Sequence, residues 1–191
     1  MINAIHSLFN NVTLRKLYLK LRYVVAAALV VVLVINIQPE WLLAAFIVSM
    51  IGEFIQLWSF ASLVKNEELT ARGPYVLVRN PMYLGRFVFV LGFVLLFNNP
   101  YIIAAYCVVY YFYMVNRVQR EEQRLQRLLG EPYEKYCQEV NRFLPALSRL
   151  GEKSVWFFDW RVMMSNNGHW NLLAVLAVYG VIYAYVLYFN A

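Results

Sequence analysis

Residues 87–116 read FVFVLGFVLLFNNPYIIAAYCVVYYFYMVN and carry no charge. As one straight helix this stretch would run about 45 Å, well past a hydrocarbon core of about 30 Å. Asn98-Asn99-Pro100 interrupts it, and Pro both removes a backbone donor and punctuates a turn. The stretch is therefore expected to fold as a helical hairpin with limbs over residues 81–97 and 101–116. That geometry returns the polar segment before the hairpin and the polar segment after it to the same membrane face.

Apolar runs continue on both sides of the hairpin. Residues 23–37 and 41–64 are each long enough to span, with Pro39 turning the chain between them and Glu53 the one charge inside the second run. Residues 170–189 form a last uncharged run. The expected fold class is an all-α integral membrane protein of about five transmembrane helices, a single membrane domain over 1–191. Composition agrees: 62% of residues are hydrophobic and 15% charged, where soluble domains carry about 25%. Lys and Arg concentrate at 15–22, 65–86 and 117–161, while the turns at 35–40 and 98–101 are nearly uncharged. Positive charge favours the cytoplasmic side, which places the N-terminus and these blocks there. Topology thus accounts for the net charge of +6, and no nucleic-acid partner is called for.

The remaining segments are shorter. Residues 1–22 carry Leu14, Leu17, Tyr18 and Leu21 among basic residues and read as an interfacial lead-in helix. No small-residue cleavage site follows that basic cluster, so no cleavable signal is expected. Residues 117–129 continue the second limb as a charged helix that Gly130 stops. A short helix over 131–141 follows, and Pro145 closes it. Trp156, Phe157, Phe158 and Trp160 suit a membrane-surface segment. Cys107 lies in an apolar run and Cys137 in a polar one. They have neither disulfide nor metal-ligand spacing, and no metal is expected.

Chemistry is expected on the cytoplasmic face, where two segments meet. The first, KNEELTARGPYVLVRN over 65–80, leads into Pro81-Met82-Tyr83-Leu84-Gly85. It offers Gly/Pro turns, the cation of Arg79, the amide of Asn80, and Tyr75 and Tyr83 for stacking. The same residues would equally serve a connecting loop whose arginines meet lipid headgroups. In the second, Arg117-Val118-Gln119-Arg120-Glu121-Glu122, Arg117 and Glu121 lie four apart and share a helix face. They can hold the anionic and the amine or hydroxyl ends of a ligand, or form a solvated pair worth about 0.3–0.5 kcal/mol. Glu53 sits mid-span, where an acid calls for a partner such as Arg86 or Gln56. His6 and His169 read as interface residues without catalytic company.

The ordered set Leu69-Thr70…Gly73…Tyr75, Arg79-Asn80-Pro81…Tyr83…Gly85, Asn99-Pro100, Arg117…Glu121-Glu122, Gly130…Tyr133…Tyr136 and Arg142…Pro145 resembles the isoprenylcysteine carboxyl methyltransferase and phospholipid methyltransferase superfamily. The resemblance implies a methyltransferase core over 65–147, with residues 165–191 as an extra C-terminal span. It implies S-adenosylmethionine as cofactor, held between the loop before the hairpin and the helices after it. The cofactor contacts it implies are Glu67, Glu68, Leu69, Thr70, Tyr75, Arg79, Asn80, Pro81, Met82, Tyr83 and Glu121. Arg117 is the implied anchor of the acceptor's carboxylate. One position departs from the family pattern: Asn80 stands where that pattern has His. An amide donates hydrogen bonds but carries no charge and moves no proton near pH 7.

The implied reaction is direct methyl transfer to a lipid-borne or prenylated acceptor, in which the protein supplies proximity and orientation. A carboxylate acceptor needs no base. An amine would need one, for which Glu121 and Glu122 are the candidates, and Arg117 and Glu122 are the expected catalytic residues. Two other readings use the same residues: an NADPH-dependent enzyme resembling sterol reductases, and a lipid-binding membrane protein without activity.

Overall fold

The computed structural model describes residues 2–64 and 69–190, so Glu67 and Glu68 lie outside the described residues. Among the described residues there are eight α-helices and no strand: α1 (Ile2–Asn10), α2 (Val12–Ile35), α3 (Leu42–Ser62), α4 (Pro81–Leu95), α5 (Pro100–Leu129), α6 (Glu131–Glu139), α7 (Trp160–Ser165) and α8 (Gly168–Asn190).

The expected hairpin is α4 and α5. Asn98 turns the chain with φ of 45°, a left-handed conformation that Asn tolerates better than most residues. The Asn99 side chain then caps α5, accepting from the backbone N–H of Tyr101 at 2.9 Å and of Ile102 at 3.3 Å. Asn99→Ala should cost about 1 kcal/mol. In a thermal melt of the detergent-solubilised protein this reads as a fall of about 3 °C.

Among the described residues, three helices are long and apolar enough to cross a bilayer: Pro39–Ser62, Pro100–Leu129 and Gly168–Phe189. They correspond to the expected spans at 41–64, 101–116 and 170–189, and the protein is a multi-pass integral membrane protein. The other two expected spans differ in form. The one at 81–97 is a helix of 15 residues, about 22 Å long. The one at 23–37 begins much earlier, at Val12, and bends by 44° between Val12–Val25 and Ala27–Ile35.

The N-terminal segment is likewise two elements rather than one lead-in helix. Asn11 ends α1 and caps α2, accepting from Thr13 N–H at 2.9 Å and Leu14 N–H at 3.1 Å. Leu14, Leu17, Tyr18 and Leu21 therefore lie on the α2 helix itself, while α1 docks on α5. There Asn10 donates to the buried Asn116 at 2.7 Å, and the ring of Phe9 stacks on Phe112 at 6.3 Å. His6 completes the contact through Asn116 Nδ2 at 2.9 Å.

α3 and α4 pack closest. Gly52, Gly85 and Gly92 let their backbones touch, as small residues do between membrane helices. A Cβ on Gly52 would lie 2.2 Å from the Phe89 nitrogen. Ser49 ties three helices at this level: its hydroxyl donates to the Phe89 carbonyl at 3.0 Å and meets the Tyr179 hydroxyl of α8 at 2.6 Å. Glu53 takes Gln56 as its partner, at 3.2 Å, with no bond to Arg86 among the described residues.

α4 and α5, by contrast, meet through rings. Phe87 stacks on Tyr106 at 5.4 Å, the Tyr106 hydroxyl donates to the Phe87 carbonyl, and the Tyr110 hydroxyl donates to the Tyr83 carbonyl at 2.7 Å. These bulky contacts hold the two helices apart above the membrane end of α4, which leaves room for a cavity.

The C-terminal segment locks the end of α3 nearest that cavity. Asn166 donates to the Phe60 and Leu63 carbonyls, both at 2.9 Å, and Trp58 donates to the Phe157 carbonyl at 3.1 Å. Trp156 and Trp160 are exposed as a surface segment requires, whereas Val155 before them and Met163 after them are buried.

Candidate active site

The loop from Leu69 to Asn80 is held from several sides. Gly73 sits at φ of +60°, where a Cβ would lie 1.9 Å from the Ser62 hydroxyl, so the turn needs glycine. The following one-turn helix Gly73–Val76 is wholly buried. Thr70 accepts from Val64 N–H at 3.2 Å. The segment after α6 lies alongside: Arg79 N–H donates to the Asn141 carbonyl and Ala146 N–H to the Leu77 carbonyl, both at 2.9 Å. Tyr136 of α6 donates to the Tyr75 carbonyl at 2.7 Å. Sequence-distant segments thus fix the loop backbone against the end of α5.

A cavity of about 410 Å³ opens between them, within the usual range for small-molecule sites. One wall is the loop and the start of α4: Leu69, Thr70, Tyr75, Arg79, Asn80, Pro81, Met82 and Tyr83. The facing wall is α5, with Arg117 and Glu121. Of the sequence-derived site residues among those described, these ten line one space. Glu122 does not. It points away on α5, buried, where Arg142 reaches it at 2.5 Å, Arg79 at 3.4 Å and Asn80 Nδ2 at 3.3 Å.

Several wall residues were not singled out from sequence as contacts: Arg86, Arg124, Leu125, Leu128, Tyr133 and Tyr136. The helical period carried the signal for most of them. Arg124, Leu125 and Leu128 continue the α5 face begun by Arg117 and Glu121, and Tyr133 and Tyr136 share a face of α6.

Charge in the cavity is predominantly positive, with Arg79, Arg86, Arg117 and Arg124 against Glu121. Arg117 is steered by its Nε bond to the Tyr83 hydroxyl at 3.2 Å. Arg79 is mostly buried, and its Nε finds no hydrogen-bond partner among the described residues. A buried donor of this kind suits a carboxylate ligand. Tyr75, Tyr133 and Tyr136 stay neutral. Burial pushes Tyr75 far above its usual range, with Tyr136 and Tyr83 adding to the effect. Burial also raises Tyr136, and raises Tyr133 together with the neighbouring Glu122 charge. They act as hydrogen-bond donors and ring surfaces, not as bases. Among the described residues no group of His, Cys, Asp and Glu could hold a metal ion.

Comparison with known proteins places the chain in a family. Residues 21–132 match the phospholipid methyltransferase family, from the middle of α2 to the start of α6. Protein-S-isoprenylcysteine O-methyltransferase B of Arabidopsis thaliana is 27% identical over 163 residues, 74% of this chain and 82% of the relative. The A form from the same plant is 27% identical over 157 residues, covering 71% and 80%. A probable protein-S-isoprenylcysteine O-methyltransferase of Oryza sativa subsp. indica is 32% identical over 78 residues, 41% of each chain. No solved structure matches. A multi-pass helical chain whose family match runs through both walls of the cavity belongs to the phospholipid methyltransferase family, and it is a methyltransferase.

Proposed function

We propose that the protein transfers the methyl group of S-adenosylmethionine to a prenylated acceptor bearing a carboxylate, at the cytoplasmic face of the membrane. The observation that carries this reading is the single cavity in which Thr70, Tyr75, Arg79, Met82 and Tyr83 face Arg117 and Glu121. The relatives, named for prenylcysteine O-methylation, point to the same acceptor class. Membership of a methyltransferase family favours this over an NADPH reductase or an inactive lipid binder. Five spans with the N-terminus in the cytoplasm keep the basic segments on one side. The 65–147 core then carries the chemistry and the C-terminal span braces α3.

S-adenosylmethionine supplies an already activated methyl group, so the protein's work is placement. Arg79 offers its unpartnered Nε to the donor's carboxylate. Tyr75, Tyr133 and Tyr136 supply ring surface and neutral phenols, and Glu121 accepts from an amine or a ribose hydroxyl. Arg117, held by Tyr83, orients the acceptor carboxylate, which is already a nucleophile at pH 7 and gives up no proton. Glu122 touches neither ligand and acts as a positioning residue. With Arg142 it holds Arg79 and Asn80 against the cavity wall. That task also suits an amide at position 80: Asn80 donates to Glu122 and to the Arg142 carbonyl, each at 3.3 Å, and moves no proton.

The test is methyl transfer by the purified protein from labelled S-adenosylmethionine to a farnesylated N-acetylcysteine. The expected product is a methyl ester, whose label is released as methanol by mild base. Label that resists base, as in an N-methyl amine, or no transfer at all, would overturn the carboxylate reading. Arg117→Lys keeps the charge but loses the planar fork. It should lower kcat/KM for the acceptor about tenfold while leaving donor KM nearly unchanged.

A further inference from the structure

α5 carries a second polar surface beside the active-site cavity. Arg120, Gln123, Arg124, Arg127 and Leu128 line an open concavity of about 530 Å³. At 3.6 residues per turn, Arg117, Arg120, Arg124 and Arg127 fall within about 80° of the helix circumference. The buried Val118 and Glu122 lie to the other side. Arg124 and Leu128 line both spaces, so the two are neighbours. The transfer reaction described above uses Arg117 from this stripe, while Arg120 also holds Asn10 of α1 and Arg124 also lines the active-site cavity.

Their height along the helix indicates what they meet. α5 starts at Pro100, at the turn on the opposite membrane face. A hydrocarbon core of about 30 Å takes about 20 helical residues, which brings the second boundary level with Arg120. Arg124 and Arg127 stand about 6 and 10 Å further along the axis, against a headgroup layer about 5–7 Å deep. Helical side chains lean toward the N-terminus of their helix. On α5 that direction is back toward the bilayer, so the two outer guanidinium groups reach down to phosphate level. Arg120 is fixed on this face by its bond to Asn10 of the docked α1. Guanidinium groups bind phosphate oxygens through paired N–H donors.

We infer that Arg120, Arg124 and Arg127 form a binding site for the phosphate of an anionic phospholipid, seated in the headgroup layer next to the active-site cavity. The occupant is a bilayer lipid rather than a soluble anion, because the three side chains sit at and just above the hydrocarbon boundary. The site adjoins the active-site cavity, sharing Arg124 with it, and does not require the acceptor assigned to the transfer reaction.

The full-length protein is reconstituted in phosphatidylcholine vesicles, and its association with spin-labelled phosphatidylglycerol is compared with that of spin-labelled phosphatidylcholine. The expected result is a preference for phosphatidylglycerol of about fivefold or more, falling with added salt. Arg120→Gln/Arg127→Gln should bring the preference to about one, whereas Arg161→Gln on α7, which removes the same kind of charge elsewhere, should leave it intact. Far-UV circular dichroism checks that each variant is folded. No preference in the unmodified protein would overturn the site. So would a preference that survives the double substitution or is lost equally in Arg161→Gln. If inorganic phosphate at constant ionic strength abolishes the preference, the site is one for a soluble anion, which overturns the lipid assignment.

Discussion

Gly52→Leu should separate α3 from α4 and leave little folded enzyme. A Cβ at this position would stand 2.2 Å from the Phe89 nitrogen, 2.6 Å from the Phe89 Cα and 2.7 Å from the Gly85 carbonyl oxygen. All three are backbone atoms, so no rotamer change relieves the clash and the helices must move apart. Ordinary overpacking costs about 1–3 kcal/mol. Here the obstacle is main chain and the side chain is large, so about 3 kcal/mol or more is expected. That corresponds to a melting temperature lower by about 10 °C. Activity should fall further than stability, because α4 carries Pro81, Met82 and Tyr83 into the cavity and any shift at Gly52 moves them. A melt in detergent alongside the methyl-transfer assay measures both. An unchanged melting temperature would contradict the close contact.

Glu122→Ala should be the most damaging polar substitution at the site, although its side chain lies outside the cavity. Glu122 is buried and receives Arg142 at 2.5 Å, Arg79 at 3.4 Å and Asn80 at 3.3 Å. Removing one member of a buried pair leaves an uncompensated charge, at a cost of about 3 kcal/mol. Arg142 is partly exposed and finds water, so the cost falls mainly on Arg79. Arg79 then no longer holds its place on the wall, and S-adenosylhomocysteine affinity should drop about 100-fold. Glu122→Gln keeps a hydrogen-bond acceptor for Asn80 and should recover part of that loss. A general base would behave differently: its loss would lower kcat and leave cofactor affinity alone. Calorimetric titration of both variants, together with kcat, separates the two roles.

Much of the fold was legible because it rests on local signals. The charge-free run broken at Asn98–Pro100 implies a hairpin, and Gly130 ends α5 as its position suggests. The features that escaped a sequence reading depend on distant partners or on competing signals. The early start of α2 is hidden because basic residues dilute its hydropathy, while the decisive cap is one side chain, Asn11. The bracing of α3 by Asn166 and Tyr179 joins residues more than a hundred positions apart. At the site, the walls followed from the helical period and from the family-like string. The orientation of Glu122 did not. Glu121 and Glu122 are adjacent in sequence but differ by about 100° around the helix. Only the fold decides that one faces the cavity and its neighbour meets Arg142 of the segment after α6.

In the proposed arrangement the loop before α4 and the end of α5 enclose the methyl donor. Ultraviolet cross-linking of radiolabelled S-adenosylmethionine to the purified protein, followed by peptide mapping, tests it most directly. The expected result is label in peptides covering residues 69–83 and 117–136, suppressed by excess S-adenosylhomocysteine and strongly reduced in Glu122→Ala. Competable label confined to α1, α2 or α8 would contradict it.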